Sequence, residues 1–367
     1  MKKDVLTKKV LCSLLLAGTV GISNMAFANS GGEYKDQNLD GTDKPSYIGN
    51  NGTLSDNKIY FDNNYGNKDI HIIGIHKTVG NGESDIKLEK NSVTVNGVDA
   101  NSIYGAYIYT TNNQEKQNVI NNSVIVNNSS AKAVYGGCLD QNVVGDINSN
   151  SVIVTKSVIE EVYGGCASLN ANPGAGGCVA SNNSVEINDS VVGDVYGGYA
   201  VRLMSSADDN NIIISNSVVN NVYGSYKGSY AGDSVGNEIK IVDSCVTGEI
   251  YGSYVGISST ANDNTVTIAG NSDLTEAALY GTNATGQTGN NLIIDGWSGN
   301  VKSINNFNAI EVESLAGGLN LQAGEKTDFI TATDGINNST FADSKTEQAV
   351  TDLKAGVALE VDGKLVI

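Results

Sequence analysis

From Asn91 onward, apolar and polar residues alternate in short bursts that recur along the chain. Val185-Glu186-Ile187, Ile239-Lys240-Ile241 and Val266-Thr267-Ile268 share one pattern, and equivalent pieces begin at Asn91, Asn122, Asn150 and Asn211. The flanking positions stay β-branched while the middle one accepts Glu, Lys, Thr or Ile. Such period-two alternation predicts a strand whose middle residue faces water and whose flanks face a core. The β-branched residues and the frequent Asn and Gly argue against a helix.

A second recurring element follows each strand. Aligned on its tyrosine it reads at Tyr104 (IYGAY), Tyr135 (VYGGC), Tyr163 (VYGGC), Tyr196 (VYGGY), Tyr223 (VYGSY), Tyr251 (IYGSY) and Tyr280 (LYGTN). Successive steps are 31, 28, 33, 27, 28 and 29 residues. In the first five copies the leading apolar residue (Val93, Val124, Val152, Val185, Ile212) precedes the tyrosine by 11 positions. Between the two elements lies a third apolar piece, as in Ser157-Val158-Ile159 or Ser190-Val191-Val192. Each repeat therefore reads as three short strands and turns, followed by a variable loop such as residues 200–209.

One such unit cannot bury its apolar face alone, whereas stacked units share a continuous core. The expected fold is all-β: a right-handed parallel β-helix of about seven to eight rungs, one per 27–33-residue repeat. A β-propeller is the alternative, but its blades need four strands and more residues. Equivalent residues of stacked rungs lie about 4.8 Å apart, so the repeated tyrosine becomes a ladder. Eleven of the 17 tyrosines fall at the two tyrosine positions of the motif. Strict alternation places Tyr196 and Tyr199 on opposite faces, with one series more buried than the other.

Composition adds an address. Lys2, Lys3, Lys8 and Lys9 precede an apolar run over 10–20 and a small-x-small site at Ala26-Phe27-Ala28, which predicts a secretory signal peptide cut between Ala28 and Asn29. Removing it takes the formal charge from -18 to -21. So acidic a chain repels nucleic acid and anionic lipid, and no later apolar run is long enough for a transmembrane helix. The domain plan is signal peptide 1–28, N-terminal cap and irregular region 29–90, repeats 91–300 and C-terminal cap or linker 301–367. The terminal segment ends in an expected hairpin around Asp362-Gly363.

The run "NNSVEINDSVVGDVYGGYA" resembles the repeats of autotransporter-type passengers, the adhesin-like surface proteins of Gram-negative-type bacteria. The resemblance covers about residues 91–300, and 301–367 is similar to the segment such passengers place before their membrane barrel. It implies a β-helical stalk displayed at the cell surface, with adhesion to a host-surface glycan or protein as its role. The chain departs from the family at its end, Leu365-Val366-Ile367, where no barrel strands or terminal aromatic residue follow. That leaves a truncated or split gene, a separately encoded outer-membrane barrel as partner, or a free secreted or periplasmic solenoid.

Candidate chemistry changes this picture little. Asp189, Asp194, Asp208, Asp209, Asp233, Asp243 and Asp263 are scattered in turns, and Arg202 is the one arginine in the repeats. Polysaccharide lyases and hydrolases on the same fold need clustered carboxylates with a basic partner, so the rival reading as such an enzyme is the weaker one. Asp36 to Asp43 resembles half a calcium loop, but its twelfth position is Tyr47 and Pro45 intervenes, so an acidic linker is expected. His71 and His76 are five apart in one strand-like stretch, on opposite faces and unsuited to a shared metal. Neither catalytic residues nor a cofactor are assigned. Cys138 and Cys166 replace the second tyrosine in adjacent repeats, and stacking brings them within disulfide reach if the chain is exported. A truncated structural fragment with no ligand of its own is the third reading.

Overall fold

The structure is a computed structural model, and it describes residues 58–62, 71–79, 86–110, 116–141, 144–167, 177–201, 204–228, 232–314, 330–342, 349–351, 359–361 and 364–366. All regular structure in these residues is β, and the strands stack in parallel as a β-solenoid. The expected signal peptide, its cut between Ala28 and Asn29, the half calcium loop and Arg202 lie outside the described residues.

Each complete rung has three walls. The central wall is built from the alternating pieces, such as Ser151–Thr155, Ser184–Asn188 and Asn211–Ser215, paired residue on residue. Val185 pairs with Ile212 and Ile187 with Ile214, all buried, while Glu186 faces water as its tolerance of charge requires. The tyrosine wall carries the motif in longer strands, including Ser130–Gln141, Val158–Ala167, Val191–Ala200 and Val218–Lys227. The third wall is short: Lys87–Glu89, Lys116–Ile120, Val144–Asn148 and Val179–Ser181.

The third strand is not where the sequence pattern placed it. Ser157-Val158-Ile159 and Ser190-Val191-Val192 do not form elements of their own; Val158 opens the same strand that carries Tyr163, and only Cys245–Val246 stands as a separate short strand among these pieces. The polar pair Glu160-Glu161 continues the strand, exposed or half-buried. The true third strand comes from the segment read as variable loop. Its pattern is short and divided among small residues, as in Val179-Ala180-Ser181, so periodicity does not reveal it.

The rungs also extend beyond the motif copies. Lys58–Asp62 pairs in register with Ser92–Asn96, and His71–Ile73 and His76–Thr78 pair with the strand of Tyr104 and Tyr107. At the far end Ala309–Ser314 and Thr340–Ala342 continue the central wall, and Leu359–Val361 pairs antiparallel with Lys364–Val366 around Asp362-Gly363.

Two of the three corners repeat the same two-residue turn through the middle rungs. From the third wall to the central wall the chain turns in two residues: one with positive φ (Asn121, Ser149, Asn182, Asp209) and then a buried asparagine (Asn122, Asn150, Asn183, Asn210). From the central to the tyrosine wall it turns through Asn128, Lys156, Asp189 or Asn216, again with positive φ, and then a buried serine (Ser129, Ser157, Ser190, Ser217). Asn and Asp tolerate the left-handed conformation best among non-glycine residues, which explains their abundance.

The buried asparagines form a continuous column. Each donates from Nδ2 and from its backbone N–H to the Oδ1 of the next, as Asn150 does to Asn183 at 3.1 and 3.0 Å. Its second Nδ2 hydrogen goes back to a carbonyl of the third wall, Val119 O at 3.0 Å for Asn150. This column divides the interior into a large core between central and tyrosine walls and a smaller one between tyrosine and third walls.

Candidate functional site

The outward face of the tyrosine wall carries the most regular constellation of side chains. Tyr104, Tyr135, Tyr163, Tyr196, Tyr223, Tyr251 and Tyr280 stack in one column, with successive ring centroids 4.5, 4.8, 4.7, 5.0, 5.5 and 4.4 Å apart. All seven predicted ladder positions are thus brought together. The rings lie parallel to within 12°.

A second column runs beside it. Tyr199 stacks on Tyr226 at 5.2 Å and Tyr226 on Tyr254 at 4.9 Å, and each meets the first column edge to face, Tyr196 to Tyr199 at 5.4 Å. Tyr196 and Tyr199 therefore share one face, contrary to strict alternation. The cause is the bend at Gly197-Gly198: Val195 points into the large core, both glycines are buried and Ala200 points into the small one. A methyl group on Gly197 would lie 2.4 Å from Gly224 O and 2.9 Å from Asn210 Cβ, so the bend closes directly onto the asparagine column. The first column is the more buried, with Tyr135 and Tyr163 each 4% exposed.

The start of the second column escaped the motif alignment. His76 stacks on Tyr107 at 5.2 Å and 18°, because Gly74 bends the chain as Gly105 does one rung later. The signal was present in Ile72-Ile73-Gly74-Ile75-His76, a copy of Ile103-Tyr104-Gly105-Ala106-Tyr107 without its tyrosines. Burial holds the His76 imidazole at about 4, below its ordinary 6.5. The bend also removes the premise that His71 and His76 belong to one straight strand.

Cys138 and Cys166 occupy the second column between Tyr107 and Tyr199. They are register partners, both fully buried, hydrogen-bonded to each other and present as free thiols. Burial pushes the Cys138 thiol well above its usual range. Cys178 is a buried thiol in the small core, and Cys245 is half-buried.

Carboxylates line the phenols. Tyr163 Oη donates to Glu161 at 3.0 Å, Tyr196 Oη to Asp194 at 3.5 Å and Tyr107 Oη to Asp140 at 2.7 Å. Burial, reinforced by these carboxylates, raises the phenols of Tyr163 and Tyr196; Tyr223 is pushed up to about 12. The remaining candidate acids do not converge: Asp189, Asp209, Asp243 and Asp263 each sit at a positive-φ corner. Asp208 accepts from Val235 N–H at 3.0 Å, Asp233 is exposed, and burial raises the Asp208 carboxyl. Among the described residues no three His, Cys, Asp or Glu side chains come together as a metal site.

Two polar features were not visible in the sequence. Lys227, at the position of Ala200, is fully buried, donates from Nζ to Ser259 Oγ at 3.0 Å and is lowered by burial. Beside it Ser225, Ser234 and Ser253 join through their hydroxyls. A depression of about 200 Å³ near the C-terminal end is lined by Thr282, Gln287, Asn306, Asn308, Asn338 and Ser339.

The third corner varies most. Between tyrosine wall and third wall, 5 residues (111–115), 2 (142–143), 11 (168–178), 4 (228–231) or 3 (256–258) separate the strands. No helix among the described residues is long and apolar enough to cross a membrane. Compared with known proteins, the chain matches no protein-family model, and no curated protein or solved structure is significantly similar to it.

Proposed function

We propose that this chain is an exported, passenger-type solenoid that displays a column of variable loops at a bacterial surface, where they bind a host glycan or protein. The observation that carries the reading is the inequality of the three corners. Two corners stay between 2 and 4 residues, whereas the third ranges from 2 to 11. Length variation concentrated at one edge of a repeat stack is how solenoids build a binding face without disturbing their core.

The tyrosines are not the adhesive surface in this reading. Their faces are occupied by one another, which leaves edges and hydroxyls for solvent. They hold the wall, and the loops beside them recognise. Export through the expected signal peptide and anchoring by a separately encoded barrel complete the proposal. No catalytic role is assigned; the polysaccharide-acting alternative is tested in the same experiment.

Residues 29–367 are to be incubated with a glycan array and with epithelial cells, beside a variant in which 168–176 is replaced by a short Gly-Ser turn. Binding by the native chain and its loss in the variant, with the melting curve preserved, is the expected result. Equal binding by both would remove these loops from the contact. Release of new sugar ends would identify an enzyme instead.

A further inference from the structure

We propose that the tyrosine columns form a one-electron relay that drains into the buried Cys138/Cys166 dithiol and closes it into a disulfide. The inference does not depend on adhesion. Its first support is continuity: seven phenol rings in face-to-face contact leave no gap wider than 5.5 Å between centroids. The second is proton management. Oxidation of a phenol releases its proton, and Tyr107, Tyr163 and Tyr196 already donate to Asp140, Glu161 and Asp194. The third is the terminus: Cys138 and Cys166 fill the break in the second column between Tyr107 and Tyr199, in one buried cluster with Tyr135 and Tyr163.

Accessibility gives the relay a purpose. Both thiols are fully buried, so an external oxidant cannot touch them, whereas Tyr196, Tyr223 and Tyr254 are partly exposed. The steps balance with a one-electron oxidant of the metal-centred or ferryl class. It removes an electron from an exposed ring such as Tyr196 as the phenolic proton passes to Asp194. Tyr163 then supplies an electron to the Tyr196 radical, which recovers its proton, while the Tyr163 proton goes to Glu161. The Tyr163 radical takes a hydrogen atom from Cys166, leaving a thiyl radical. Attack by the Cys138 sulfur forms the S–S bond as the second thiol proton passes to the neighbouring Asp140 carboxylate, and a second oxidant equivalent removes the extra electron through the same column. Two thiols and two oxidant equivalents give one disulfide, two protons and two reduced oxidants. Register partners on adjacent rungs have Cα atoms about 4.8 Å apart, within the range a disulfide spans.

The test fixes the oxidant at one end. A ruthenium bipyridyl complex is coordinated at Glu276→His, an exposed position on the strand of Tyr280, in the full chain, and is flashed with persulfate as electron acceptor. The Cys138–Cys166 linked peptide is then followed by mass spectrometry. Tyr196→Phe/Tyr199→Phe keeps both rings but cuts both columns between oxidant and dithiol. Tyr104→Phe/Tyr107→Phe makes the same change on the far side. The linked peptide is expected in the unsubstituted chain and in the far-side variant, and lost in the near-side one. Tyr223→Phe/Tyr226→Phe provides the same cut one rung away should the first pair fail to fold. No linked peptide in the unsubstituted chain, or equal yields from near-side and far-side variants, would overturn the relay.

Discussion

Asn183 and Asn210 are joined twice: the side-chain Nδ2 of Asn183 and its backbone N–H both donate to Asn210 Oδ1, at 3.0 and 3.1 Å. A single amide oxygen thus satisfies two buried donors of the preceding rung. Asn210→Ala leaves both unpaired in a buried column, and each orphaned donor costs about 1–3 kcal/mol. A loss of several kcal/mol is expected in urea unfolding. A change below that of an exposed substitution such as Glu186→Ala would show that the column is not structural.

Gly197 makes room for that column. Gly197→Ala sets a methyl group 2.4 Å from Gly224 O, a backbone atom that cannot rotate away. Overpacking of this kind costs about 1–3 kcal/mol. A lowered melting temperature in Gly197→Ala is expected, and one equal to the native value would contradict the close approach.

Tyr163 separates ring from hydroxyl. It is 4% exposed, stacked on both sides and donates to Glu161 at 3.0 Å. Tyr163→Phe loses one hydrogen bond, about 1 kcal/mol, whereas loss of the whole ring in Tyr163→Ala costs about 3–5 kcal/mol. Comparable losses in both variants would mean that the hydroxyl, not the stack, holds the wall.

These three cases mark what the sequence makes legible. Alternation in Val185-Glu186-Ile187 gave the wall and its two faces, because one side chain in two must be buried. The fixed spacing gave the tyrosine ladder. Asn183 was legible as a turn residue only, since nothing local distinguishes an asparagine that caps a turn from one that pairs with the next rung. The Gly197-Gly198 bend, which puts Tyr196 and Tyr199 on one face, depends on where the asparagine of another rung sits, 13 residues from Gly197. His76 was hidden because its rung has lost both tyrosines while keeping the glycine.

His76 makes the first rung pH-dependent. Burial lowers its folded-state value to about 4 from 6.5, so below 6.5 the unfolded segment binds the proton that the folded one refuses. Its contribution is complete above 6.5 and is lost as the pH falls toward 4. Amide exchange over residues 71–79 should accelerate across that window in the native chain, and His76→Phe should abolish the effect. Exchange that does not change between these pH values would rule out the buried neutral imidazole.

The account rests on one rung per repeat, and distances along the stack measure it directly. Thr94, Glu186, Lys240 and Ile293 occupy the same outward position of the central wall, three, five and seven rungs along from Thr94. With Cys245→Ser as background, Cys pairs joining position 94 to 186, 240 or 293 are to be spin-labelled and measured by double electron–electron resonance. At about 4.8 Å per rung the backbone separations are about 14, 24 and 34 Å, so the distances should grow by equal steps. Distances that level off or turn back, as for blades set around an axis, would contradict the solenoid and everything built on it.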